Sequence, residues 1–240
     1  MRTAAGPIVI PNFGKGNACV TGNHAFCWGW VRQHWGDTLQ PALVQHVELT
    51  AIAVGIGFTL AFALALVAHR YGRIEHPINI VSALLYTIPS LALFQLLIPF
   101  TGLTETTIEI ALVSYTLVIL FPNVVAGLRS APEDVLEAAR GMGLTRRQIL
   151  LRVELPLAIP AIVGGLRIAV VSTISIATVA AFLGDYGLGD PIFRALDDPT
   201  PFKTEIYSAG ALAVALALVC DAGLVLLRRV LAPWAGRRLA

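Results

Sequence analysis

Asp221 is the single charge in the run Ile206–Leu227. A carboxylate in so apolar a stretch carries a desolvation cost, so it must pair, with Arg167 or a hydroxyl, or face a water-lined path where it would attract a cation. The sequence leaves both readings open. Ser172, Ser175 and Thr178 recur every three residues, and Thr178 stands nearly above Arg167 at helical pitch. Such hydroxyls either bond the preceding turn or a neighbouring helix, or they line a path for a polar solute. Arg167 falls early in its run and can snorkel to the nearer interface. Tyr86, Tyr115 and Phe121 can offer ring faces to a quaternary ammonium, or simply pack. This is the chemistry of recognition rather than of bond making. The chain has no H-E-x-x-H, no G-x-S-x-G and no paired carboxylates within an apolar run, so no catalytic residue is assigned. Cys19, His24 and Cys27 lack a four-ligand spacing, so no metal is assigned. The two cysteines are expected first as free thiols, with a disulfide as the alternative if they lie in an oxidising compartment.

The elements that must position these residues are apolar and long. The chain of 240 residues is 56% hydrophobic and 13% charged, and its charge is clustered where a soluble domain would spread it. Uncharged runs cover Leu49–Ala68, Pro77–Thr104 and Ile110–Leu128, each near or beyond the roughly 18 residues of a membrane-crossing helix. Ile168–Gly184 extends backwards through Leu155–Leu166, and Ile206–Leu227 is broken only by Asp221. The expected fold is all-α, a polytopic membrane bundle of about five transmembrane helices. Pro89, Pro99, Pro122 and Pro160 fall inside these runs, where lipid tolerates a broken helix only if neighbours or a water-lined cavity satisfy the freed carbonyls. Small residues at Gly55, Gly57 and Ser208–Ala217 allow close helix approach.

Residues 1–40 read as an extracytoplasmic arm and 41–240 as one membrane domain. Gly, Asn, His and Trp occupy the arm where a cleaved leader would have its apolar core, so the first span is expected to stay. Trp28, Trp30 and Trp35 fit an interfacial belt, with a surface helix over 28–40. Counted over alternate connections, Lys and Arg number 12 on one side and 5 on the other. The positive-inside rule then puts the N-terminus outside and the C-terminus inside, with 129–156 in the cytoplasm between spans three and four.

That cytoplasmic segment is too structured for a mere connection. Ser130 with Glu133 spells a capping box with Pro132 in the first turn, Arg140 suits the helix end, and Gly141 with Gly143 supplies a stop. Thr145 with Gln148 spells a second box, opening a helix that carries Arg146, Arg147 and Arg152 and meets Pro156. Five bases balance four acids over 129–156, and spans tether both ends, so nucleic-acid binding is excluded. Val135, Leu136, Ala139, Met142 and Leu144 are expected to be exposed as an apolar face for a partner.

Glu137, Ala138, Ala139 and Gly143, nine residues, then Val153, Glu154, Leu155 and Pro156 resemble the EAA loop of ABC-importer permeases, with Val153 in place of isoleucine. The segments Tyr86–Pro99, Gly141–Arg167 and Phe182–Leu196 are similar to the osmoprotectant branch of that family, which carries glycine betaine, choline, carnitine and related quaternary amines. The resemblance implies a prokaryotic inner (cytoplasmic) membrane protein that is not itself an enzyme. It implies a coupling role for Glu137, Ala138, Ala139, Gly141, Gly143 and Leu144, which would seat in a cytoplasmic ABC ATPase dimer. ATP and Mg would sit on that partner and no cofactor on this chain. The other implied partners are a second permease subunit, identical or homologous, an extracytoplasmic substrate-binding protein and the lipid bilayer. Pathway candidates are Tyr86, Tyr115, Ser172, Ser175, Thr178 and Asp221. The competing expectations are an importer for another small solute, such as an amino acid or an anion, and an ion-coupled carrier in which Asp221 relays protons; no inverted repeat is visible for the latter.

Overall fold

The computed structural model describes residues 18–234. The first part of the arm, with Arg2 and Lys15, and the last residues, with Arg237 and Arg238, lie outside the described residues. Two short helices, α1 (Ala18–Thr21) and α2 (Trp28–Gln33), lead through a π-turn at Trp35–Leu39 into α3 (Gln40–Arg70). Next come α4 (Glu75–Thr87), α5 (Ser90–Thr101) and α6 (Glu105–Leu128), followed by the elbow helices α7 (Glu133–Gly141) and α8 (Arg146–Ile149). After a π-turn at Leu150–Glu154 the chain runs on as α9 (Leu155–Ala180), then α10 (Gly189–Asp197) and α11 (Lys203–Leu231). No strand occurs among the described residues.

Four continuous helices are long and apolar enough to cross a membrane: Trp35–Arg70, Glu105–Leu128, Arg146–Leu183 and Lys203–Leu231. The expected second span, Pro77–Thr104, is not one straight helix. It is the pair α4 and α5, bent by 100° at Ile88–Pro89, which makes a fifth span only if both halves count as one. The reason is local. A proline pushes the residue before it out of the helical region, and Ile88 is extended at φ −76°, ψ 122°. Two of the carbonyls freed at the bend are met by side chains: Thr87 Oγ1 donates to Leu84 O at 2.7 Å, and the Tyr115 hydroxyl donates to Ile88 O.

Packing follows from small residues on α3. Ala53, Gly57, Ala61, Ala65 and Ala68 are buried at helical spacing against α6 and α9. A Cβ on Gly57 would stand 2.6 Å from Thr116 Cγ2, so only glycine lets the two helices come this close. Thr116 in turn shares a 3.0 Å hydrogen bond with Thr173 on α9, which closes a joint between the three helices. Around it lie two core clusters. One holds Leu49, Phe94, Ile108, Leu112 and Tyr115, and the other Leu120, Phe121, Val124, Leu128 and Ala158. The aromatic Phe121 is therefore core.

The arm closes over the other end. Cys19 and Cys27 are joined by a disulfide, contrary to the first expectation of free thiols. Their eight-residue spacing allows both states, and spacing alone does not report the redox compartment. The bridged loop is fixed to the start of α11: Asn23 Nδ2 donates to Pro201 O at 2.9 Å, and Thr204 Oγ1 donates to His24 O at 2.8 Å. Trp30 is buried between His34 and Phe202, whereas Trp28 and Trp35 stay exposed.

Candidate functional site

The elbow is built from local signals. Thr145 and Gln148 form the expected capping box, Thr145 Oγ1 accepting from the Gln148 N–H and Gln148 Oε1 from the Thr145 N–H. The box expected at Ser130 does not form. The Ser130 hydroxyl donates instead to Gly127 O at 2.7 Å, so α7 opens at Glu133 with no side-chain cap. A hydroxyl beside a helix C-terminus has orphan carbonyls within reach and takes the nearer acceptor. Gly143 makes the turn at φ +79°, a left-handed conformation that favours glycine, and the Gly143 and Leu144 N–H groups close back on Arg140 O and Ala139 O.

Glu137, Ala138, Gly141 and Gly143 lie exposed along the elbow, with Val135 and Met142 beside them. Ala139 is the exception among the residues expected on the outer face: it is buried, and Leu136 and Leu144 are half-buried. A short amphipathic helix turns one face inward, and Ala139 is on that face, with α8 the principal neighbour of α7. The second elbow helix does not stop at Pro156. It continues to Leu183 as one helix, and the π-turn at 150–154 absorbs the clash that Pro156 would make with the carbonyl four residues earlier.

Two side-chain contacts fasten the base of this element. His69, in the last turn of α3, holds Glu154 at 2.9 Å, with side chains 23% and 13% exposed. Arg129, at the foot of α6, holds Glu75 at the start of α4, Nη1 to Oε1 at 3.1 Å. Higher up, the Arg167 guanidinium grips Asp221 with two parallel bonds, Nε to Oδ1 at 2.7 Å and Nη2 to Oδ2 at 2.8 Å. The pairing partner envisaged for Asp221 is thus the arginine, across α9 and α11.

At the opposite end, His46 is fully buried. Its Nε2 meets Ile174 O at 3.1 Å and its Nδ1 accepts the Leu188 N–H at 3.2 Å. A carbonyl accepts only, so Nε2 carries the proton and Nδ1 the lone pair. Gln45 Oε1 accepts the Gly187 N–H at 2.8 Å, and Gly187, at φ +56°, leaves no room for a Cβ beside the imidazole. The loop between α9 and α10 is clamped to α3 by these two side chains. Beside it opens a polar cleft of about 660 Å³ walled by Asp37, Gln45, Glu48, Asp190 and Arg194 among others. Burial and the neighbouring Asp185 push the Asp190 carboxyl above its ordinary range, against the pull of Arg194 at 2.7 Å. An apolar groove of about 620 Å³ lies between α3, α9 and α11.

Residues 53–237 match the family described as binding-protein-dependent transport system inner membrane component. The chain belongs to this permease family. It is similar to the carnitine transport permease protein OpuCB of Listeria monocytogenes, 34% identical over 206 residues that cover 85% of this chain and 93% of that protein. It is also similar to the choline transport system permease protein OpuBB of Bacillus subtilis, 34% identical with 85% and 93% covered. The osmoprotectant import permease protein OsmW of Salmonella typhimurium is 36% identical over 195 residues, with 79% and 89% covered. Among solved structures, an inward-facing MetNI methionine ABC transporter matches with a TM-score of 0.74 at 19% identity, over 83% of this chain and 98% of that one. That likeness speaks for the fold alone. The permease is therefore an inner-membrane component of a transport system that works with a binding protein, and its relatives are transporter subunits rather than enzymes themselves.

The pathway candidates in the permease are not gathered in one place. Tyr86 is exposed on α4, while Tyr115 is buried against the bend. Ser175 and Thr178 donate to the carbonyls of Val171 and Ile174 in their own helix. Ser172 is half-buried, and none of the six lines either cleft. His46, His69 and the Thr116–Thr173 pair carry no signal in the sequence. Their partners lie 128, 85 and 57 residues away, a distance at which no local spacing announces a contact.

Proposed function

We propose that this permease is the membrane subunit of an ATP-driven importer for a small quaternary-amine osmoprotectant of the glycine betaine, choline and carnitine class. The observation that carries the substrate class is the agreement among relatives that align along most of their own length and are named for carnitine, choline or osmoprotectant transport. Sequence spacing and local geometry support the coupling role. The exposed ridge of Glu137, Ala138, Gly141 and Gly143, with Ala139 and Leu144 seated beneath it, is the surface a cytoplasmic ATPase dimer grips. ATP and Mg belong to that partner, and this chain carries no cofactor. A second permease subunit, identical or homologous, completes the pathway, since four or five spans do not readily enclose one alone. The N-terminus faces out, where a disulfide persists, and the elbow faces in. Tyr86, Tyr115, Ser172, Ser175, Thr178 and Asp221 are the residues to scan for pathway contacts, the last held in reserve by Arg167.

The test is reconstitution of the permease with its ATPase and binding protein in liposomes, followed by uptake of labelled choline, carnitine and glycine betaine. Uptake that needs ATP and stops with vanadate is expected. Uptake that persists with the ATPase omitted refutes the importer reading, and ATP-driven uptake of none of the three compounds refutes the substrate class.

A further inference from the structure

We propose that His69 is a positioning residue for coupling, which with Glu154 pins the inner foot of α3 to the root of the elbow so that α3 and α9 move as one rigid body. The proposal rests on the coupling role assigned to the elbow above. Its ground is a pair of fastenings at opposite ends of the same two helices. His46 joins the outer part of α3 to Ile174 on α9, and His69 joins the last turn of α3 to Glu154 just ahead of α9. The two pins are 23 residues apart on α3 and 20 along the helix that runs from the π-turn into α9, about 35 Å and 30 Å at 1.5 Å per residue, so they bracket nearly the whole thickness of a bilayer. Between them, Gly57 brings α3 against Thr116, which bonds Thr173. Two helices fastened at both ends and each held to α6 in the middle, one by the Gly57 contact and the other by the Thr116–Thr173 bond, cannot shear past each other without breaking a polar contact in an apolar setting.

His69–Glu154 is the only hydrogen bond or ion pair between residues 40–70 and 129–156 among the described residues. Both side chains are largely shielded from solvent, so water competes little for the contact. Glu154 is the last residue of the π-turn, the place where the elbow helix changes pitch before becoming a span. A displacement of the elbow therefore reaches Glu154 first, and through it α3. At the far end of α3, His46 and Gln45 hold the loop at Gly187–Leu188, so the outer loop is carried along with the inner lever.

The experiment uses the complete complex, permease with ATPase and binding protein, in liposomes, and reads the amount of labelled substrate moved per ATP hydrolysed. His69→Ala and Glu154→Ala are each expected to lower that ratio roughly threefold to tenfold, the size carried by loss of one coupling contact, and the double variant is expected to do no worse than either. His69→Gln, which keeps a donor facing Glu154, is expected to stay near the unmodified ratio. An unchanged ratio in His69→Ala overturns the pin. A reduced ratio in Gly143→Val alongside an unchanged one in His69→Ala removes the pin and leaves the elbow's role standing, whereas unmodified complex whose ATPase ignores substrate overturns both. A second measurement does not depend on activity. With Cys220→Ala as background and His69 and Glu154 kept, the distance between spin labels on the exposed neighbours Arg70→Cys and Leu151→Cys is expected to be the same in nucleotide-free and vanadate-trapped complex. A change in that distance on trapping would show that this joint opens during the cycle and would overturn the proposal.

Discussion

Replacing Tyr115 by phenylalanine removes one oxygen and leaves the ring. The ring is 7% exposed, packed with Leu49, Phe94, Ile108 and Leu112, and nothing about that packing depends on the hydroxyl. The hydroxyl makes a single contact, donating to the Ile88 carbonyl, which the bend at Pro89 has stripped of its helical partner. Without it, a carbonyl in an apolar core is left unmet. Orphaning a buried acceptor costs about 1–3 kcal/mol in soluble proteins, while hydrogen bonds between membrane helices average nearer 0.6 with a ceiling of about 1.7, so a loss of about 1–2 kcal/mol is expected. At roughly 2–4 °C per kcal/mol for a chain of this size, Tm should fall by about 2–8 °C. The assay is thermal unfolding of the purified permease in detergent, paired with uptake kinetics in liposomes. The structural role predicts a lower Tm with the substrate KM unchanged. A Tm equal to the unmodified protein together with a raised KM would refute this reasoning and move the hydroxyl from the bend to the pathway.

A Cβ on Gly189 would stand 2.0 Å from the Thr178 carbonyl oxygen and 2.6 Å from Ala181 Cβ. Since backbone cannot step aside, Gly189→Ala should cost about 1–3 kcal/mol or more, whereas Gly55→Ala, with nothing within 4 Å, should stay within about 0.5 kcal/mol; Tm of the two variants checks the contrast. Gly143 also has open space, so Gly143→Val is penalised only by φ +79°, about 1–2 kcal/mol, and Gly143→Asn less. Substrate-stimulated ATPase activity should fall in that same order while membrane insertion is kept. Asp190 has its folded pKa raised by burial, so the stability it contributes is full below its unfolded pKa and is lost as pH rises through the folded one. Asp190→Asn should therefore gain Tm relative to the unmodified protein at pH 7, and the gain should vanish as pH drops below the ordinary carboxylate range; no difference across that range would contradict the burial argument.

The spans were legible because hydrocarbon imposes a requirement that composition alone can meet: a run of about 20 residues without charge. The Thr145–Gln148 box and the Gly143 turn were legible for a similar reason, each being satisfied within a few residues of itself. Legibility ended where a group had a choice of partner. Ser130 could cap α7 or bond Gly127 O, and it took the carbonyl. Pro77–Thr104 has the composition of one span, and composition carries no direction, so the 100° bend at Pro89 was visible only as a proline. Ala139 turned inward because three residues of the motif, Glu137, Ala138 and Ala139, cannot all point the same way on a helix. The two histidines of α3 were silent because their roles lie in partners far along the chain.

The unbroken helix from Arg146 to Leu183 has 38 residues and is about 57 Å long, against roughly 30 Å of hydrocarbon. Nearly half of this rod must therefore stand in headgroups or water. A see-saw of that length needs little effort to show a large effect: rocking it by about 10° around its midpoint swings each tip by about 5 Å, in opposite senses, at 1.5 Å per residue. A nudge inward on the wet end is thereby an outward sweep on the other.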